Sequence, residues 1–416
     1  MKFDFLILGA SGIQGKIVSR DLLENSFKIC LADLYKEGSL PVIQKFPGRA
    51  VFRFIDLREI RKITELIKRS GANVVINCAE SDWNLNVYEA CLAAGAHVID
   101  LSSSIKVTAK QLALNKKFEK HNLTAITGCG STPGINNVML NYASRFFDTI
   151  ESVNAGFVWD SNIKKFVVPF SIQSVLWEFT EPATIIEDNA WLIKTPLENV
   201  LDIEFRTIGR QKCFPVDHAE VLTFHHYFKE KGLKNIRFYA GFPEHSAKVI
   251  LTLVELGFHK WKKVLVDGKH KIFPPELVTE VFKDIKIPEG YMEKENLWVE
   301  ISGEKDGEPK KMLMECLVPT LPDWEDAGCN IDTGFPASII AQMIYDGRIT
   351  ERGSFAPEAV VPPEELFKEL GAKSMLVYQD GVIINREHLE LPYVSEKSRA
   401  RKTRQPERAI LQLINY

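Results

Sequence analysis

No apolar run in this 416-residue chain approaches the ~18 uninterrupted residues that a membrane span requires. The N-terminus runs directly into an apolar strand containing Asp4, so a cytoplasmic protein without membrane contact is expected. Charge of one sign is also lacking. A net charge of −3 gives no sign of nucleic-acid or membrane-surface binding by the body of the protein, and no nucleic-acid partner is expected. The one basic cluster, Lys397 to Arg408, reads as a solvated connector. Seven cysteines are scattered with no CxxC spacing, and the run Phe224-His225-His226-Tyr227-Phe228 lacks HExxH spacing. Reduced thiols and no bound metal are therefore expected. Asp332-Thr333-Gly334 occurs without a second copy, which excludes the paired carboxylates of an aspartic protease. With 45% hydrophobic and 26% charged residues, disordered and fibrous classes are out, and the length suits two or three domains.

What is present is organised around the first fifteen residues, MKFDFLILGASGIQG. Phe3, Phe5, Leu6, Ile7 and Leu8 read as a short buried strand, and Gly9, Gly12 and Gly15 lead into a periodic helix from Ile17 to Leu23. Strand, glycine turn and helix suit a dinucleotide, because free N–H groups at a helix N-terminus attract a pyrophosphate that side chains would hold off. Lys28 to Ala32 is a second strand with Asp33 at its end. A carboxylate there accepts hydrogen bonds from both ribose hydroxyls and repels a 2′-phosphate, which favours NAD over NADP. Lys36 would help a phosphate if Asp33 pointed away.

Strands and helices alternate to about Gly128: strands at 50–55, 73–76, 97–101 and 124–126, helices at 58–70, 86–94 and 108–121. Such β-α repeats with right-handed crossovers make a doubly wound parallel sheet. The strand ends then place Asp56 near the adenine and Asn77, Cys78 and Ala79 near the nicotinamide. Asp100, at the end of a buried strand, either caps the next segment or acts on substrate. From Gly128 to Gly134 a second glycine turn containing Pro133 opens a helix capped by Asn136 or Asn137. The expected cofactor contacts are Gly9, Ser11, Gly12, Ile13, Gln14, Gly15, Asp33, Asp56, Asn77, Cys78, Ala79 and Pro133.

Residues 150 to 325 read as an α+β layer, an antiparallel sheet covering the cleft, with strands at 152–158, 201–208, 235–240 and 312–318 and a helix at 247–256. Its polar candidates are Trp177, Glu178, Asp217, His218, Arg237 and His245. An apolar helix follows Asp332, and a hairpin turning at Asp380-Gly381 follows that. The organisation expected is a Rossmann domain over 1–129, an α+β domain over 130–330, a helix returning to the first domain over 331–370, and an extension over 371–416.

These pieces resemble a known family. GASGIQG, VVIN, YEACLAAGAHVIDLS, GSTPGINN, EFTEPA, RFYAGFPEH and DTGFPASIIAQMI, together spanning roughly residues 1 to 370, are similar to the saccharopine dehydrogenase-like superfamily. The resemblance implies a discontinuous Rossmann domain, a central domain giving homodimer contacts, and hydride transfer between a nicotinamide and the carbon of a C–N bond through an imine. It further implies a small-molecule amino-acid or amine substrate, with lysine 6-dehydrogenases, saccharopine reductases and carboxynorspermidine dehydrogenases as relatives. A reductive condensation enzyme is one alternative, and a non-catalytic NAD-binding sensor or scaffold is another. On this resemblance Asp100 or His245 serves proton transfer and Arg237 holds a carboxylate, with Glu178 also catalytic. Thr132 stands where saccharopine reductases carry an acid and Asn137 where they carry histidine. His218 stands where lysine 6-dehydrogenases usually carry glycine.

Overall fold

Short runs such as Phe5-Leu6-Ile7-Leu8, apolar on both sides of the strand, form only where helices cover both faces of a sheet. A computed structural model describes residues 2–385 and shows this arrangement. The Lys397 to Arg408 cluster lies outside the described residues. Strands β1 (Phe5–Leu8), β2 (Ile29–Asp33), β3 (Ala50–Phe54), β4 (Val74–Asn77), β5 (His97–Asp100) and β6 (Thr124–Ile126) are all parallel. Helices α1 (Ile13–Glu24), α2 (Leu40–Lys45), α3 (Ile60–Ser70) and α4 (Asn84–Ala94) connect the earlier strands. Alternation along β1 sends Phe5 and Ile7 into one core and Leu6 and Leu8 into the other.

The helix expected over 108–121 is two helices, α5 (Ile105–Leu112) and α6 (Asn115–Lys120). The break frees Asn115, whose Oδ1 accepts the Ser354 N–H at 2.8 Å. Ser354 belongs to a strand the sequence did not disclose, considered below with its sheet.

Helix α7 (Ile135–Ser144) leads to a second, mixed sheet. Its strands are β7 (Thr149–Ser161), β8 (Ala183–Glu187), β9 (Ala190–Lys194), β10 (Leu201–Phe205), β11 (Gly209–Pro215), β12 (Asn235–Gly241), β15 (Glu293–Lys305) and β16 (Glu308–Pro319). A separate hairpin, β13 (Val264–Val266) with β14 (His270–Ile272), stands between the last two groups. Only β7 and β12 run parallel, so the antiparallel layer expected is in fact mixed. Helices α8 (Ile172–Thr180), α9 (Ala219–Phe228), α10 (Glu244–Glu255) and α11 (Pro274–Phe282) belong to this domain.

The chain then re-enters the first domain. Helix α12 (Ile331–Tyr345) packs against α1 so closely that a Cβ on Gly334 would lie 2.3 Å from Ile17 Cγ2. Strand β17 (Gly353–Phe355) adds to the far edge of the parallel sheet, giving the order β17-β6-β5-β4-β1-β2-β3. Two further helices, α13 (Pro357–Val360) and α14 (Pro363–Ala372), precede β18 (Leu376–Gln379) and β19 (Val382–Ile383). These last strands extend the mixed sheet beyond β16, so residues 376–383 are part of the central layer. Asp380 (φ 47°) and Gly381 (φ 83°) make the tight turn, as the Asp-Gly pair demands. Among the described residues no helix is long and apolar enough to cross a membrane.

Candidate active site

At the carboxyl ends of the parallel strands, the glycine turn leaves the start of α1 uncovered. Gly12 is the N-cap without a side-chain cap, and a Cβ placed on it would meet nothing closer than Gly9 O at 3.5 Å. Gly9 and Gly15 are cramped instead: Cβ atoms there would lie 2.6 Å from Ala79 N and 2.2 Å from Gly9 O. Two glycines therefore permit close packing and the third keeps a surface open, which fits a pyrophosphate against the exposed N-terminal turn. Ile13 stands exposed beside it, and Gln14 reaches from the same turn to Asn330 across the domains.

Asp33 closes this end. Its Oδ2 accepts the Ser11 N–H at 2.9 Å and its Oδ1 the Tyr35 N–H at 3.2 Å, fixing the carboxylate between the glycine turn and the loop after β2. Ser11 Oγ bonds the Tyr35 carbonyl and lies 2.9 Å from Ser39 Oγ. Lys36 is exposed and Asp56 is taken by Arg58, whose guanidinium holds that carboxyl down at about 2. Asn77 is fully buried and bonded to Asn84 and the Ala79 N–H, so it shapes the turn. Burial pushes the neighbouring Cys78 thiol up to about 12, which keeps it protonated.

Asp100 is enclosed at the end of β5. It is 0% exposed, and its oxygens accept from Tyr88 Oη (2.6 Å), the Ser102 N–H (2.8 Å), Gln111 and, more weakly, Thr127 and the Gly128 N–H. Its backbone carbonyl takes the Cys129 N–H at 2.8 Å. The capping alternative therefore describes it: Asp100 ties β5 to the second glycine turn. That turn is tight, since a Cβ on Gly128 would lie 2.5 Å from Pro133 Cγ and one on Gly134 would lie 1.7 Å from Gly130 O. Asn137 accepts the Gly134 N–H at 2.8 Å, capping α7, and its Nδ2 donates to Glu358 and Thr223.

Asn137 leads from the turn to a buried titratable cluster on the inner side of the mixed sheet. His218 precedes α9 and stacks flat on Phe238 of β12, centroids 4.1 Å apart and planes at 6°. Its Nδ1 lies 2.6 Å from Glu220 Oε2, and Glu220 is fully buried with Oε1 unbonded. Burial alone lowers the histidine, but the charge and hydrogen bond of Glu220, with Glu178 and Asp217, raise it above its ordinary range. Glu178, half-buried on α8, is pushed up to about 7 by burial, with His218 opposing and Glu220 and Asp217 adding. Burial likewise pushes Glu358 up to about 7 against its hydrogen bonds from Thr223 and Asn137. Carboxyls and an imidazole poised near neutrality are what proton transfer at pH 7 requires. The sequence signal was present as His-Ala-Glu at a helix start, but only the fold brings Glu178 to it.

Arg237 is elsewhere. Ile236 and Phe238 enter the inner core whereas Tyr239 enters the outer one, so alternation turns Arg237 outward, where it pairs with Glu187. Strand geometry thus engages Arg237 with Glu187 on the outer face, away from the inner core. His245 does lie on the inner side, its ring edge-to-face with Trp159 at 6.4 Å. Among the described residues no group of three His, Cys, Asp or Glu side chains is placed to hold a metal ion.

Comparison with known proteins agrees with both halves of this arrangement. Residues 5–126 match the saccharopine dehydrogenase NADP binding domain and residues 130–375 the saccharopine dehydrogenase C-terminal domain. A carboxyaminopropylagmatine dehydrogenase from Synechocystis sp. is 26% identical over 76% of this chain and 81% of its own length. A carboxynorspermidine synthase from Vibrio alginolyticus is 22% identical over 74% of this chain and 78% of its own. The fold of saccharopine dehydrogenase (L-Glu forming) from Saccharomyces cerevisiae superposes with a TM-score of 0.70 at 12% identity, covering 91% of this chain and 99% of that one.

Proposed function

Since the chain belongs to the saccharopine dehydrogenase family, as an NAD(P)-binding oxidoreductase acting on amine-bearing substrates, we propose that its substrate is an amine adduct of an amino acid and that its cofactor is NAD. The observation that carries the site assignment is the buried cluster Glu178, His218 and Glu220, joined through Glu358 and Asn137 to the second glycine turn.

The nicotinamide, when bound, supplies or accepts the hydride. The chain's residues handle the proton. Glu178 takes it from the substrate nitrogen, and His218, oriented by the Glu220 carboxylate, carries the compensating charge. The aromatic floor of Phe157, Phe179, Phe214, Phe238 and Phe242 keeps the site dry. Asp33, held rigid at the end of β2, supports NAD, because a 2′-phosphate would meet a fixed negative charge.

Relatives named for carboxynorspermidine and carboxyaminopropylagmatine favour an adduct over free lysine. A cytoplasmic homodimer without nucleic acid completes the proposal, and light scattering of the purified protein tests its size. The decisive experiment follows absorbance of the reduced cofactor with NAD or NADP and a panel of lysine, saccharopine, ornithine and polyamines, in both directions. Cofactor binding with no turnover of any amine or aldehyde-plus-amine pair would favour a non-catalytic sensor.

A further inference from the structure

With Arg237 turned outward, the inner face needs another group to meet a substrate carboxylate. The carboxyl-terminal end of β7 offers one. Trp159 is 3% exposed and its indole Nε1 has no hydrogen-bond partner. An indole N–H only donates, and a buried donor without an acceptor is rare enough to call for an explanation. His245 Nε2, in the ring packed against that indole, is also buried and unbonded. His245 lies in the first turn of α10, a helix of 12 residues whose N-cap, Pro243, provides no side-chain cap. Two donor-capable rings at the positive end of a helix are complementary to a carboxylate.

Beside them is the complement for an amine. Glu295 is the cross-strand partner of Trp159, and both side chains lie on the inner face. Burial and the neighbouring Asp332 at the start of α12 hold Glu295 well above the carboxylate range, so Glu295 keeps the proton the two acids share and the negative charge of the pair rests on Asp332. Asp332 is steadied by Thr333 Oγ1 at 3.0 Å, and Thr333 Oγ1 by Ser131 Oγ at 2.9 Å in the second glycine turn. Directly paired strand residues stand about 5 Å apart, close enough for their side chains to meet the two charged groups of one α-amino-acid head from either side. Phe242 touches both Trp159 (6.4 Å) and Phe179 (5.0 Å), the residue after Glu178. One aromatic layer thus separates this place from the acid–base cluster.

We propose that Trp159 and His245, with Glu295 across the strand pair, form a subsite for the α-amino-acid head of the substrate, the carboxylate on the two ring N–H groups and the ammonium on the Glu295–Asp332 carboxyl pair. The subsite deepens the oxidoreductase reading by fixing which end of the adduct lies away from the reacting carbon, and it rests on that reading.

Calorimetric titration of the full-length protein loaded with NADH tests it. The probes are L-lysine with cadaverine and L-2,4-diaminobutyrate with 1,3-diaminopropane, each pair differing by the carboxylate, and saccharopine. At least one amino acid is expected to bind tenfold or more tightly than its decarboxylated counterpart. Trp159→Phe and His245→Phe, each of which keeps a ring and removes its N–H, are each expected to remove about tenfold of that preference, leaving the diamine within about twofold. If Trp159→Phe fails to fold, as its melting temperature would show, His245→Phe decides alone. Equal affinity within every pair, no binding by any amino acid, or equal loss for both members would overturn the subsite. Binding with the expected preference but no turnover of any substrate would sink the oxidoreductase reading instead.

Discussion

Nδ1 of His218 lies 2.6 Å from Oε2 of Glu220, two residues on, in a layer with no exposed surface on the carboxylate. Because the pair raises the histidine's titration, the stability it contributes is fully present below the ordinary histidine range and is lost as pH rises through the raised folded value. Glu220→Gln should therefore lose more stability relative to wild type at pH 6 than at pH 9, measured by urea unfolding. The His218-dependent limb of kcat/KM should also move to lower pH. An unmoved limb would remove Glu220 as the orienting group.

Glu178 titrates near 7, above its unfolded range, so its sign is opposite. Below about pH 4 it is protonated folded or unfolded and has no effect; as pH rises past that, the unfolded chain ionises first and folding is penalised. Glu178→Gln should melt higher than wild type at pH 8 and alike at pH 4, while kcat falls about 10²-fold or more. Retained kcat would exclude Glu178 from proton transfer.

Replacing Asp33 with alanine should weaken NAD far more than NADP, since the carboxylate fixed by Ser11 and Tyr35 is the group placed to meet the ribose hydroxyls. Fluorescence titration of both reduced cofactors reads the ratio. Equal losses would end the NAD assignment.

Gly334→Ala forces a methyl to within 2.3 Å of Ile17 Cγ2 and should cost about 1–3 kcal/mol in urea unfolding. Cofactor affinity should fall with it, because α1 carries the glycine turn. A variant as stable as wild type would show that α1 and α12 have room to separate.

Arg237→Ala should leave kcat and KM within about twofold and lower stability by less than about 1 kcal/mol, as expected of a surface ion pair with Glu187. A tenfold rise in KM would return Arg237 to the substrate.

The first sheet was legible because each of its strands is a short apolar run ending at a polar or turn residue, and Gly71 and Gly95 stop their helices in the left-handed conformation. Strand β17 was not, since three residues, Gly-Ser-Phe, carry no periodicity; their placement depends on Asn115 and on the neighbouring edge of β6. Strand β15 was hidden by its charged composition, Glu293-Lys294-Glu295, which only a sheet with deeply buried acids accommodates. The outward direction of Arg237 was readable from its alternation with Ile236 and Phe238. Glu178 and Asp100 were both visible as acids, but whether an acid is braced by five donors or left poised beside an imidazole is decided by tertiary neighbours.

The contribution of β17 to the parallel sheet has a consequence during synthesis. A nascent chain that has emerged from the ribosome only as far as residue 340 possesses the whole glycine turn and Asp33, yet its β6 edge is bare, with N–H and C=O groups open to any passing strand. The nucleotide-binding half thus cannot be sealed before most of the mixed-sheet layer has been translated, and a chain terminated early would expose an adhesive border.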